Sequence, residues 1–366
     1  MDLSIKIIQT NNAFLQIRED WQVLEQNIQH TNLTSCYDWL FTWWSVFEKV
    51  DNNEIGFNKK LFIICLYRDN ALIAIAPFVK VIRKIAGIKI SFLEFLGQQW
   101  SAIYLDFIAK DLLLIERNFI FQCLYKNLKF NVLFLKYIPQ NTSFFSLHEL
   151  NIYYACPHIN INNFSSFEDY KNKFYSRNLK QNIRTASNRI ENNKDILKKS
   201  IETINDDNFK DIVAISKSKL LDDKNWLYGD KNKMNFYKTI YSKISSNVSL
   251  LKINDKNVAY RTNMIFNNYK FCIDASYDRA YKKYELGSLS VDLNINDSFE
   301  KKLTVECMGP GIDLYKFKFT KELTYIYIYL KRGNSFLSNF FYITLKILVK
   351  RKGKLFEKNL SKNKIN

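Results

Sequence analysis

The sequence predicts an α/β (α+β) chain of two tandem domains, each a mixed, mostly antiparallel sheet flanked by helices. Three observations lead there. The chain has 366 residues, more than one hydrophobic core usually organises. Apolar residues make up 47% and aromatics 16%, enough for two cores and too much for wholesale disorder. A helix-then-hairpin order occurs twice, the hairpin at 61–83 being echoed at 248–266 without detectable identity. Only 9 glycines and 4 prolines argue against turn-rich repeat barrels and long flexible linkers.

The elements follow in order. Phe14, Ile17, Trp21, Leu24 and Ile28 fall at helical spacing over 13–28. A second helix is expected over 38–50, with Ser35 and Asp38 resembling a capping box and Trp39, Trp43, Trp44 and Phe47 forming an aromatic face against a sheet. LFIICLYR (61–68), Asp69-Asn70 and ALIAIAPFVKVIR (71–83) make a β-hairpin, in which Pro77 should mark a bulge or an edge. Strands are expected at 88–96, 102–108 and 131–137, and a helix at 112–128. The polar stretch 160–166 divides a first domain, 1–160, from a second, 161–330, and a basic amphipathic tail occupies 331–366. The second domain opens with a long helix at 167–192, whose Lys173, Arg177, Lys180 and Arg184 form one positive stripe opposite Leu179, Ile183, Ala186 and Ile190. Another helix is expected at 207–221. Three strands then follow at 248–254, 258–266 and 270–277, and their Asn/Asp-rich connections imply an antiparallel meander. Gly287-Ser288 opens a helix through about Phe299, and a short strand at 304–307 leads to Gly309-Pro310-Gly311.

The formal charge of +18 points to an anionic partner such as nucleic acid, a membrane surface, tRNA or a CoA phosphate. Heavy use of Lys and Asn inflates it, and solvated lysines account for part. No aromatic base-reading platform or recognised helix motif is found, so no DNA partner is expected. The 6 cysteines include no C-x-x-C pair, and the 3 histidines stand apart from them, so no metal site is expected and a reducing cytoplasm fits. MDLSIKIIQTNN lacks the basic start and apolar core of a signal peptide. No apolar run reaches the roughly 18–20 residues that span a bilayer. FLSNFFYITLKILV (336–349), followed by Lys350, Arg351, Lys352 and Lys354, suits an interfacial helix, so peripheral contact with the inner membrane through 336–354 is an expectation.

The stretch 274–289 carries the most chemistry. A strand ends, a loop brings Arg279, Lys282 and Lys283, and a helix begins at Gly287-Ser288. Helix starts expose unpaired N–H groups and positive potential, which favour a pyrophosphate, and glycine permits its close approach. No Ser-His-Asp or Cys-His arrangement is evident, so a covalent nucleophile is not favoured.

The run Y-D-R-A-Y-K-K-Y-E-L-G-S-L (277–289), followed by G-I-D-L-Y-K-F-K-F (311–319), resembles the cofactor half of the CelD-like or FemAB-like, double-GNAT branch of the GNAT acyltransferases. LFIICLYRDNALIAIAPF (61–78), YLDF (104–107) and SRNLKQNIRTASNRI (176–190) fit the same pattern, and the resemblance spans roughly 33–320. Simpler GNAT enzymes carry an Arg/Gln-x-x-Gly-x-Gly/Ala loop, of which only Gly287 is present here, followed by Ser288 and Leu289. The resemblance implies two GNAT-like domains, the first without cofactor and the second binding acetyl-CoA or another acyl-CoA through Arg279, Lys283, Leu286, Gly287, Ser288 and Leu289. It places the 311–319 run on closing strands.

N-acyl transfer requires the thioester and amine to be held in line, a base or water for the amine proton, and N–H groups to polarise the carbonyl. Asp274 and Asp313 are the candidate bases. Tyr277 and Tyr315 could protonate the leaving thiolate or orient the acceptor, and Lys316 could bind a phosphate or carboxylate of the acceptor. The expected reaction is transfer to an amine of a sugar, polysaccharide or envelope precursor, a small molecule or a glycan. The alternatives are a FemAB-like transferase using aminoacyl-tRNA and a non-enzymatic accessory protein of envelope or exopolysaccharide assembly.

Overall fold

The computed structural model describes residues 2–29, 31–85, 87–218 and 227–364. The chain forms two compact units, one of residues 1–155 with 324–366 and the other of 156–323. The return of 324–366 to the first unit differs from the expected division, in which the second domain ran to 330 and a separate tail followed. Pairing decides it, because the last strand hydrogen-bonds within the first unit.

The first unit runs β1 (Leu3–Ile8), α1 (Asn11–Gln16), α2 (Arg18–Asn27), α3 (Tyr37–Phe47), β2 (Phe57–Arg68), β3 (Ala71–Ile85), β4 (Ile88–Phe95), β5 (Ile108–Ala109), α4 (Leu114–Asn127) and β6 (Val132–Pro139). The chain passes to the second unit within β7 (Leu150–Asn160). There it forms α5 (Phe167–Phe174), α6 (Arg177–Asn192), β8 (Leu197–Thr203), α7 (Asp206–Ser216), α8 (Lys231–Lys243), β9 (Ser246–Ile253), β10 (Lys256–Phe266), β11 (Tyr269–Tyr277), α9 (Leu286–Glu300) and β12 (Val305–Cys307). It returns through β13 (Leu323–Arg332) and ends in α10 (Ser338–Lys364).

The two units share one topology. In the first, β1-β2-β3-β4 is an antiparallel meander, α4 crosses to the parallel β6, and β13 closes antiparallel. In the second, β8-β9-β10-β11 is the meander, α9 crosses to the parallel β12, and β7 closes antiparallel. Each closing strand is thus supplied by the chain that leaves the other repeat. Three hairpins turn on two-residue left-handed pairs, Asp69-Asn70, Asn254-Asp255 and Asn267-Asn268, the conformation that Asn and Asp tolerate best.

Several expectations are corrected in detail. The helix at 13–28 is two helices, broken at Ile17, and Thr10 accepts from the Ala13 N–H to start the first. The N-cap position of the third helix is Cys36, and a side chain from outside the helix serves its first turn. Glu25 does so from α2, accepting from the Tyr37 N–H at 2.7 Å, while Ser35 bonds to the Asn32 carbonyl. The strand at 102–108 shrinks to β5, because the Thr34 hydroxyl accepts from the Ile103 and Tyr104 N–H groups at 3.2 and 3.1 Å in place of a ladder. The helix at 167–192 breaks at Tyr175, and Ser176 caps α6. Lys173 is therefore on α5, and only Arg177, Lys180 and Arg184 share the exposed side of α6. The helix expected over 207–221 is observed as α7 to Ser216, and positions 219–221 lie outside the described residues. Residues 311–319 form a loop with a short 3-10 helix at Lys316–Lys318, not closing strands. Pro77 sits where the second neighbour of β3 changes from β5 to β4, and its carbonyl accepts from the Leu96 N–H, so its missing donor falls in that gap.

Candidate active site in the second unit

In the second unit β11 and β12 pair at only three rungs, Tyr269↔Val305, Lys270↔Glu306 and Phe271↔Cys307. Beyond Phe271, β11 runs on to Tyr277 against β10 alone, while the Met308 N–H turns to the Pro157 carbonyl at 3.0 Å. The sheet forks there. A Cβ on Gly309, whose φ is +82°, would come within 3.1 Å of the Cys272 carbonyl, so glycine is needed where the two arms part.

A buried polar network holds the base of the fork. The Lys270 ammonium, fully buried on β11, donates to the Asn294 carbonyl and to Asp297 on α9, both at 2.8 Å, and lies 3.8 Å from Glu306 on β12. Glu306 also accepts from Ser298 and Asn294, and Asn294 in turn accepts from Asn263 on β10 and Ser249 on β9. Burial pushes the Glu306 carboxyl above its ordinary range, against the pull of Lys270. The signal for this network in the sequence is polar side chains within apolar strands, as in VAYRTNMIF and VEC.

Arg261 is the second such residue. It is 4% exposed, donates from Nη1 to the Cys272 sulfur at 2.8 Å, and leaves its Nε without a partner among the described residues. Burial works against its charge, but Cys272, Tyr315 and Glu306 together hold its pKa above the usual guanidinium value. The contact with Tyr315 ties β10 to the loop that follows β12.

The expected site residues occupy three places. Asp274, half-buried on β11, accepts from the Tyr260 hydroxyl, and its N–H donates to Thr262 at 3.2 Å. Asp313, Tyr315 and Lys316 come together on the loop after β12. Lys316 is 4% exposed, donating to the carbonyls of Gly309, Pro310 and Gly311 at 3.2, 2.7 and 3.3 Å and pairing with Asp313 at 3.1 Å. Its ammonium holds the loop and is not presented for an acceptor phosphate or carboxylate. Tyr315 is half-exposed and Asp313 is exposed.

The third place is the end of β11 and the start of α9. Asp278 accepts from the Ala280 N–H and pairs with Lys256 at 3.1 Å, Ser218 donates to the Tyr277 carbonyl, and Arg189 donates to the Lys283 carbonyl. Tyr277 packs on the cluster that contains Leu286 and Leu289. Those two side chains are core, so at this site they offer backbone only. Glu285 is left-handed, with φ 53° and ψ 41°, and gives α9 no side-chain cap. The first-turn N–H groups, including those of Gly287 and Ser288, therefore point outward at the positive end of the helix. Lys283 and Gly287 are exposed, Arg279 and Ser288 partly so, and a Cβ on Gly287 would meet nothing within 4 Å. Among the described residues no group of His, Cys, Asp and Glu could hold a metal ion.

The corresponding fork in the first unit is filled. After Phe92↔Val132 and Leu93↔Leu133, β4 and β6 separate, and the buried side chain of Gln98 bridges them. Its carbonyl oxygen accepts from the Phe95 and Lys136 N–H groups at 3.3 and 3.0 Å, and its amide donates to the Phe134 carbonyl at 2.9 Å. Beside it, Glu94 holds Arg83 at 2.8 Å and Gln99 at 2.7 Å.

No family model and no curated protein sequence matches the chain. Solved structures do. FemX is 10% identical with a TM-score of 0.61, over 90% of this chain and 98% of that one. The C-terminal DUF2156 domain of an Agrobacterium fabrum protein is 9% identical with a TM-score of 0.51, over 93% and 98%. A Bacteroides thetaiotaomicron protein of unknown function is 11% identical with a TM-score of 0.50, over 88% and 99%. The chain has the mixed α/β, tandem GNAT-type fold of FemX.

Proposed function

We propose that the chain is an N-acyltransferase that moves an acyl group from acyl-CoA, acetyl-CoA first among the candidates, to an amine of a sugar, polysaccharide or envelope precursor in the cytoplasm. The observation that carries this reading is the fork between β11 and β12, with the uncapped start of α9 at the end of the same strand. An extended, amide-bearing ligand arm finds there a strand edge to pair with, and a diphosphate finds a helix N-terminus. The filled fork of the first unit, where Gln98 already makes the bonds a ligand amide would make, favours the second unit as the donor's holder.

In this reading the donor's amides lie along β11 beyond Phe271. Its phosphates meet the N–H groups of the first turn of α9, including Gly287, Ser288 and Leu289, with Arg279 and Lys283 supplying positive charge. Leu286 and Leu289 pin that turn to the core. The acceptor nitrogen attacks the thioester carbonyl, N–H groups of the β11 edge stabilise the oxyanion, and Asp274 or a water it holds takes the amine proton. The C–S bond then breaks, and the Tyr315 hydroxyl protonates the departing thiolate. Tyr277 and Asp313 orient the acceptor, and Lys316 keeps the 309–311 loop in place.

Isothermal titration with acetyl-CoA, repeated with Gly287→Trp, tests the reading. The open space around Gly287 lets the indole stand where the phosphates would lie without disturbing the fold. Micromolar binding that the substitution abolishes supports it. No heat from the folded wild type with acetyl-CoA or longer acyl-CoAs, and steeply salt-dependent binding of charged tRNA instead, replaces the donor with aminoacyl-tRNA.

A further inference from the structure

We propose that one face of α10 is a surface anchor that lays the protein on an anionic lipid bilayer. The helix is docked on the first unit by its other side. Phe341, Val349 and Leu360 are buried, and a Cβ on Gly353 would meet Ile152 of β7 at 3.0 Å, which leaves no room for a side chain there. That contact fixes which side looks outward.

The outward side has two halves. Along the first turns Phe340, Ile343, Ile347 and Leu348 are 62%, 49%, 62% and 49% exposed, and Phe336, just before the helix, is 89% exposed. Single exposed apolar residues are ordinary, but a continuous stripe over successive turns is not. Further along the same side, Arg351, Lys354 and Lys358 are exposed, and Lys346 and Lys350 flank the apolar stripe. No acidic residue occurs between 336 and 356.

Charge selects the occupant. A second copy would bring an equally basic stripe against this one, and repulsion opposes that pairing. An acidic lipid surface complements it: the apolar half enters the acyl boundary while the basic half lies along the headgroups. No helix among the described residues is long and apolar enough to cross a membrane.

The test is co-sedimentation of the full chain with vesicles. Wild type should pellet with equal parts phosphatidylglycerol and phosphatidylcholine, pellet little with phosphatidylcholine alone, and release as salt is raised. Phe340→Asp with Ile347→Asp should lower partitioning about tenfold or more, because both side chains leave the acyl boundary and bring negative charge. Lys350→Gln, Arg351→Gln and Lys354→Gln together should lower it about a hundredfold, at roughly fivefold per charge. All these side chains are exposed, so both variants should melt with wild type, and the salt response of wild type supplies a readout that needs no variant. Failure of wild type to pellet with anionic vesicles, insensitivity of its binding to salt, or wild-type binding by both variants overturns the proposal. So does an ultracentrifuge result in which wild type dimerises through this face without binding vesicles.

Discussion

Replacing Lys270 by Met should be among the most damaging single changes in the second unit. The side chain is fully buried, and its ammonium is 2.8 Å from Asp297 and 3.8 Å from Glu306, directly across the second of the three rungs that join β11 to β12. Asp297 keeps Lys301 at 2.8 Å after the substitution. Glu306, at 1% exposure, loses its ion pair and keeps two neutral donors, Ser298 and Asn294, with only the field of the Arg261 guanidinium to offset its charge. Breaking a buried pair from one side costs about 3–5 kcal/mol, since the remaining charge must be neutralised or left uncompensated. For a unit of this size that is a fall of roughly 6–20 °C in melting temperature. Lys270→Met with Glu306→Gln removes both charges and keeps a polar partner for Ser298 and Asn294. It should recover about 2 kcal/mol or more relative to the sum of the single changes. Scanning calorimetry reads the fall in melting temperature, and denaturant unfolding followed by circular dichroism gives the free energies. A loss below about 1 kcal/mol in Lys270→Met, or strict additivity in the double variant, would refute the account of the fork's base.

Gln98→Ala should cost about 2–4 kcal/mol, because the Phe95 and Lys136 N–H groups and the Phe134 carbonyl lose their shared partner in a buried place, yet acetyl-CoA affinity should stay at the wild-type value; denaturant midpoints and titration check the two halves. Gly287→Trp should leave stability within about 0.5 kcal/mol of wild type, measured by thermal melting, since nothing lies within 4 Å of the added side chain's first atom. Glu25 has its pKa pushed up to about 7, chiefly by burial, with the Tyr37 N–H opposing it. A raised folded-state value means its contribution is fully present below the unfolded value near 4.5 and is lost as pH rises through about 7. The loss is on the order of 3 kcal/mol, so Glu25→Gln should gain about that much on wild type between pH 4.5 and 8, and parallel pH–stability curves would contradict the assignment.

The sequence announced what local chemistry controls. Asp69-Asn70 and Asn267-Asn268 are turn formers between β-rich runs and their hairpins turn there, while the turn expected over 255–257 falls one residue earlier, on Asn254-Asp255, so that Lys256 and Asn257 already belong to β10. The start of α9 was legible because a Gly-Ser step follows a strand and a basic loop. The helix breaks at Ile17 and Tyr175 were not legible, because neither residue is a breaker and tertiary packing decides where the axis turns. Nor could sequence order assign β7 and β13, since each pairs far from its chain neighbours. The fork's base was missed for a related reason: Lys270, Arg261 and Glu306 each look like an isolated polar residue in an apolar strand until register and the α9 crossover bring them together. Lys316 illustrates the converse. A lysine in the run G-I-D-L-Y-K suggests a site for an acceptor phosphate or carboxylate, and only the three carbonyls around its ammonium reveal a brace.

In the proposed function the donor lies in the fork of the second unit and not in that of the first. Hydrogen–deuterium exchange of the full chain with and without saturating acetyl-CoA measures this directly. Exchange should slow over 272–277 and 286–289 and stay unchanged over 94–99 and 132–139. Protection confined to 94–99 and 132–139, or no protection anywhere at saturation, would contradict it.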